Sequence, residues 1–110
     1  MSIKVERNYL EINSLQDLKE SKFSPENCSI SVSNPTDFQI NKFFYKCIGK
    51  EHRWTDRLVW TDKQWVEYIS NQKVKTYILK KKKDLAGFFE LIIHEEKNET
   101  EIAYLGLLKE

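Results

Sequence analysis

The sequence predicts an α+β fold, a mixed but mainly antiparallel sheet with two helices between its first and second main strands. Three observations carry that expectation. The C-terminal third holds three runs, "VKTYIL", "LAGFFELIIH" and "TEIAYLGLLK", rich in aliphatic, aromatic and β-branched residues and separated by charged, turn-like segments, the pattern of successive antiparallel strands. Upstream, Ile40, Phe43, Phe44, Cys47 and Ile48 recur at steps of three and four, as on an amphipathic helix. Thr61 and Gln64 then stand in the spacing of a capping box, which announces a second helix.

Taken in order, Ile3, Val5, Arg7, Tyr9 and Glu11 alternate weakly and suggest a first strand ending near Ile12. Ser14 is placed to cap a short helix with Leu15, Leu18 and Lys22 on one stripe, ended by Pro25. "CSISVS" alternates serine with Cys28, Ile30 and Val32, as a half-buried strand does. Asn34 before Pro35 supplies an N-cap and a proline at the first helical position, so the first long helix is expected from Thr36 to about Gly49, with Gly49 as its stop. The second is expected to reach Ser70, with Trp60 and Trp65 as a hydrophobic staple around its cap. "KKKKD" (Lys80 to Asp84) and "EEKNE" (Glu95 to Glu99) read as solvated hairpin connections.

In the middle C-terminal run both alternating sets, Leu85, Gly87, Phe89, Leu91, Ile93 and Ala86, Phe88, Glu90, Ile92, His94, are mainly apolar. That suits a central strand covered on both sides. Glu90 is the anomaly, because an unpaired carboxylate there costs several kcal/mol to bury. Gly106, inside an apolar strand, marks a bulge or a close approach of another backbone or a ligand.

Composition narrows the function. A chain of 110 residues with 40% hydrophobic and 13% aromatic content is sized for one domain with a real core. Eighteen Lys plus Arg against 17 Asp plus Glu give no general attraction to nucleic acid or to an acidic membrane. Lys4, Glu6, Arg7 and Glu11 interrupt any signal-peptide core, and no run approaches the roughly 20 apolar residues of a membrane span, so a cytoplasmic protein is expected. Cys28 and Cys47 follow no metal-ligand spacing and are expected as buried free thiols, with no metal site. A His-Glu-x-x-His helix, a Gly-x-Ser-x-Gly elbow, a P-loop and a dinucleotide fingerprint are all missing from the sequence.

The groups left for chemistry are Glu90, His94, Tyr104 and the cluster Trp54, Asp56, Arg57. Each has a plain alternative. Asp56 and Arg57 suit a loop-ordering cap or ion pair as well as a pocket wall. Glu90 suits a bond to a neighbouring backbone or arginine as well as proton acceptance. His94, beside a charged turn, reads as an ordinary exposed histidine.

On these residues a resemblance rests. "LAGFFEL", a hairpin and "EIAYLGLL", preceded by "HRWTDRLVWTDKQWVEYI" (His52 to Ile69), resemble the GCN5-related N-acetyltransferase superfamily over roughly residues 9 to 108. The likeness is closest to a bacterial branch with a Trp, Asp, Arg cluster before the second helix. It implies transfer of an acetyl group from acetyl-CoA, as co-substrate, to a primary amine of a small molecule or peptide. By the same resemblance, the backbone at Leu107 and Leu108 would meet the acetyl carbonyl and pantetheine arm, Glu90 would accept the amine's proton directly or through water, and Trp54, Arg57 and Tyr104 would shape the acceptor pocket. In that superfamily a Gly-rich pyrophosphate loop, a helix and further strands follow the strand that ends here near Leu108, and this sequence stops at Glu110. The expectation is therefore one partial domain over residues 1–110, truncated after its fourth strand, that alone binds acetyl-CoA poorly and forms a homo-oligomer or takes a complementing C-terminal half. The alternative is a catalytically silent fragment or interaction module that pairs through its exposed final strand.

Overall fold

The computed structural model describes residues 9–19, 26–33 and 37–109. Strand β1 (Cys28–Val32) is followed by helices α1 (Phe38–His52) and α2 (Asp62–Ile69), and then by β2 (Val74–Lys81), β3 (Asp84–His94) and β4 (Glu99–Leu107). The strands form one sheet in the order β1-β2-β3-β4, and every pair is antiparallel, so the described sheet is not mixed. The α+β class and the two helices between β1 and β2 agree with the sequence.

The start of the chain departs from expectation. Tyr9 to Ile12 form no strand, and the rest of that proposed strand, with Pro25 and the Asn34–Pro35 cap, lies outside the described residues. Of the expected short helix, the described residues show one 3-10 turn, Leu15–Asp17. Helix α1 starts at Phe38, and its N-cap is Asp37, whose Oδ1 accepts the Gln39 N–H at 2.9 Å. That bond satisfies one of the orphan donors of the first turn.

The buried face of α1 is Asn41, Phe44, Tyr45 and Ile48, an i, i+3, i+4, i+7 stripe. Phe43 and Cys47, expected on that stripe, are exposed, Phe43 by 44%. The helix is rotated toward Asn41 and Tyr45 because both polar groups have partners inside: Asn41 reaches Glu90, and the Tyr45 hydroxyl accepts the Arg57 N–H. Both cysteines are free thiols, Cys28 half-buried and Cys47 exposed, so the expected burial of Cys47 does not hold.

Helix α2 is capped as its sequence requires. The Gln64 N–H donates to Thr61 Oγ1 at 3.2 Å and the Thr61 N–H donates to Gln64 Oε1 at 2.8 Å, and the rings of Trp60 and Trp65 pack edge to face at 5.0 Å. Thr61→Ala is expected to lower stability by about 0.5–2 kcal/mol. An unchanged urea midpoint would show the cap to be dispensable.

Both helices lie on one face of the sheet. The core there is Phe44, Ile48, Ile78 and Phe88, with the Phe44 and Phe88 rings stacked at 4.9 Å. On β3 this face carries the buried Phe88 and Glu90, whereas Phe89, Leu91 and Ile93 on the other face stay partly exposed. No described element covers that second face, which corrects the expectation of a strand buried on both sides. The bulge is also displaced from Gly106. Register slips between Glu90 and Leu91, which pair with Tyr104 and Ile102, so Ala103 is the extra residue. Gly106 pairs in register with Phe88. Its bare Cα instead admits side chains, since an added Cβ would lie 2.6 Å from Ile48 Cγ2 and 3.3 Å from Trp54 Cη2. Among the described residues no helix is long and apolar enough to cross a membrane.

Candidate functional site

The turn between the helices delivers the site. Helix α1 ends with Arg53 in the left-handed region at φ 57°, and the N–H groups of Arg53 and Trp54 both return to the Gly49 carbonyl, Trp54 at 3.0 Å. Gly49 therefore sits inside the helix and is not its stop. Its bare Cα makes room for Trp54, whose Cβ would stand 2.7 Å from a Cβ at position 49. Trp54 spans from Gly49 to Gly106 and packs edge to face on Tyr104 at 4.7 Å. Gly49→Ala is expected to destabilise by about 1 kcal/mol or more, because overpacking against a side-chain root outweighs the gain in helix propensity. A higher melting temperature in this variant would contradict that packing.

Three residues further on, Arg57 turns inward. It is 6% exposed, and its Nη1 donates to Glu90 Oε1 at 2.9 Å and to Oε2 at 3.2 Å. Glu90, at 0% exposure, also accepts Asn41 Nδ2 at 3.0 Å and the Tyr68 hydroxyl at 2.8 Å. Asn41 Nδ2 donates as well to Thr76 Oγ1 at 2.9 Å. The Asn41 Oδ1 atom is buried without a partner. Around the guanidinium stand aromatic rings, closest Tyr68 at 4.2 Å, Tyr104 at 4.4 Å and Trp60 at 4.8 Å from Cζ to ring centroid. A desolvated cation is held well in such a box. Burial alone lowers the Arg57 pKa, but the charge of Glu90, with Tyr68 behind it, outweighs burial and raises it above its ordinary value. The arrangement is a charge-neutral, hydrogen-bonded centre that joins α1, α2, β2 and β3. Arg57 supplies the partner that a buried carboxylate at Glu90 requires.

The two tyrosines of this centre respond to pH. Burial, with Glu90 next, raises the Tyr68 pKa. Burial, with Tyr45 next, pushes Tyr104 up to about 12. Groups whose folded pKa lies above the unfolded value of about 10 bind more protons when folded. Their contribution is complete below pH 10 and is lost as pH rises toward 12. Urea midpoints are expected to fall over that window, with Tyr68 and Tyr104 ionising late in absorbance at alkaline pH. Ionisation of Tyr68 and Tyr104 near pH 10 while the chain stays folded would contradict their desolvation.

Beside this centre is a cleft of about 320 Å³ between the C-terminal half of α1 and the end of β4, lined by Phe43, Cys47, Ile48, His52, Leu107 and Leu108 among others. Ile48, which faces the cleft, and Trp54, which belongs to the cluster, meet over Gly106. The Leu108 N–H is occupied, since it donates to the Ala86 carbonyl at 2.7 Å. Backbone groups alternate along an antiparallel strand, so the Leu107 N–H points to the outer edge of β4, where no described strand pairs with it.

The sequence-predicted residues thus form two adjoining groups. Trp54, Arg57, Tyr104 and Glu90 meet in the aromatic centre, while Leu107 and Leu108 lie on the cleft. His94 stands apart, partly exposed and 2.9 Å from Glu101 Oε1. Asn41, Tyr45, Tyr68 and Thr76 were not singled out by sequence, because each occupies an ordinary helix or strand position and only the fold aims it at Glu90 or Arg57. Among the described residues no group of three or more His, Cys, Asp or Glu side chains could hold a metal ion. No protein-family model matches the chain, and no curated protein or solved structure matches it.

Proposed function

We propose that this chain forms an acetyl-CoA-dependent N-acetyltransferase site, acting on a primary amine of a small molecule or peptide. The observation that carries the reading is the outward Leu107 N–H on the edge of β4 that no described strand covers, beside the cleft lined by Cys47, Ile48 and Leu108. Acetyl transfer from a thioester needs an unprotonated amine about 3–3.5 Å from the carbonyl carbon and a donor for the developing oxyanion. A backbone N–H fixed by a strand serves as that donor without reorganising. In this reading the donor is Leu107 and not Leu108, whose N–H the sheet already uses. Trp54 and Tyr104 form the wall behind the acceptor. Glu90, enclosed and bonded by Arg57, Asn41 and Tyr68, works through that wall as a positioning residue; a proton would reach it only through the Tyr68 hydroxyl.

The test is a titration of the ¹⁵N-labelled chain with acetyl-CoA and with S-acetylpantetheine, followed by backbone amide shifts. Movement of the Leu107 amide and of Cys47 and Ile48 is expected only at high, millimolar-range ligand, in keeping with weak binding, with the Leu108 amide moving little. Proline is tolerated on a strand where its missing N–H would face outward, so Leu107→Pro is expected to keep the fold and abolish the response. No shift at millimolar ligand, or shifts elsewhere, would reject the reading. A second reading, an interaction module pairing through its last strand, is favoured by the same free edge, flanked by Leu105 and Leu107 at 61% and 65% exposure.

A further inference from the structure

The cleft beside the end of β4 is far larger than an acetyl methyl requires. It holds about 320 Å³, against the roughly 30 Å³ that a group the size of a water molecule fills. Its walls sort by chemistry. Phe43, Ile48, Leu107 and Leu108 give it an apolar floor, whereas Glu51, His52 and Lys109 stand at the end where α1 finishes. Glu51 and Lys109 are exposed there and bond each other at 3.4 Å. Cys47, on α1 between the two groups, is only a weak hydrogen-bonding partner.

The backbone along the floor is equally closed to polar ligands. Phe43, Cys47 and Ile48 lie within α1, whose N–H and C=O groups bond one another along the helix. The Leu108 N–H donates to the Ala86 carbonyl at 2.7 Å. An amide or an ammonium laid on this floor would leave polar hydrogens without partners, which costs free energy. A hydrocarbon chain has no such cost and removes apolar surface from water. The pantetheine arm carries amides and the acceptor carries its amine, so the part of the reacting pair that suits the floor is the acyl tail.

We infer that the cleft is an acyl-tail pocket, and that the chain takes thioesters with acyl groups longer than acetyl, such as butanoyl and hexanoyl, more tightly than the acetyl thioester. The inference rests on the acetyltransferase reading, since it is the thioester carbonyl at the outward Leu107 N–H that sets the tail beside Leu107, Ile48 and Phe43. The transfer keeps its balance for any tail: the amine nitrogen bonds to the acyl carbon, the carbon–sulfur bond breaks, and the thiol leaves with the proton that the amine gives up. Each methylene added along the floor is expected to tighten binding about two- to fourfold.

Backbone amide shifts of the ¹⁵N-labelled chain test this, in titrations with S-acetyl-, S-butanoyl- and S-hexanoylpantetheine and with pantetheine that carries no acyl group. The hexanoyl thioester is expected to bind at least about tenfold more tightly than the acetyl one, with the Phe43, Cys47 and Ile48 amides moving further as the tail lengthens. Phe43→Asp puts a carboxylate on the floor at a position 44% exposed, and is expected to flatten that series. Should circular dichroism show this variant unfolded, the series on the unaltered chain decides alone. A Leu107 amide that responds equally to all three thioesters would overturn the inference and leave the site reading standing. Pantetheine alone moving Cys47 and Ile48 as far as its hexanoyl ester does would also overturn it, because the arm would then fill the cleft. Shifts that grow with tail length but centre on Tyr77 and Phe89, stacked at 4.9 Å on the uncovered face of the sheet, would overturn it in favour of unspecific uptake there. Silence of the Leu107 amide toward every thioester would reject the site reading itself, and the acyl pocket with it.

Discussion

Arg57→Ala is expected to cost about 3–5 kcal/mol of folding stability, because it leaves Glu90 charged and enclosed without its counter-ion. Glu90 is 0% exposed and its other donors, Asn41 and Tyr68, are neutral, so no second cation at this carboxylate takes the place of the guanidinium. Arg57→Lys should recover little. A lysine ammonium is a compact, strongly hydrated charge and cannot lie flat between Tyr68 and Tyr104 while reaching both carboxylate oxygens. The double variant Arg57→Met with Glu90→Leu should recover much of the loss, since removing both charges removes both desolvation costs. Urea unfolding of the three variants measures this. A loss below about 1 kcal/mol for Arg57→Ala would place the pair in the class of solvent-screened ion pairs, against the enclosure described here.

Trp65→Ala should cost a comparable amount, about 3–5 kcal/mol, from lost transfer free energy and the cavity left behind. Trp65 is 1% exposed and meets Trp60 at 5.0 Å and Tyr45 at 5.8 Å, both edge to face. Its ring also lies 5.5 Å from the Arg57 guanidinium. The loss therefore reaches beyond the core into the aromatic box, and Trp65→Ala combined with Arg57→Ala should fall short of additivity, as residues in contact do. Independent losses that sum fully would show that the staple and the box are energetically separate.

What the sequence determined by itself is what neighbours along the chain can settle. The Thr61–Gln64 box, the Trp60–Trp65 staple and the hairpins at Lys80–Asp84 and Glu95–Glu99 involve groups a few residues apart, and short-range sterics and hydrogen bonds decide them. The same holds for the presence of α1 and of three final strands, whose periodicity is a local property. Glu90 was legible as a problem, since a carboxylate in an apolar strand demands a partner. Which partner was not legible: Arg57 lies 33 positions away, and nothing in its own surroundings separates a loop cap from a core ion pair. Gly49 shows the same limit from the other side. Local propensity reads a glycine near a helix end as its stop, yet packing keeps it within the helix because Trp54 needs the space of the missing Cβ. The rotation of α1 toward Asn41 and Tyr45, and the choice of which apolar face of β3 the helices cover, were likewise decided only in the folded molecule. Burial of a face depends on what arrives from distant segments, and a carboxylate bonded by four hydrogens on one side draws the helices to that side and leaves the other apolar face open.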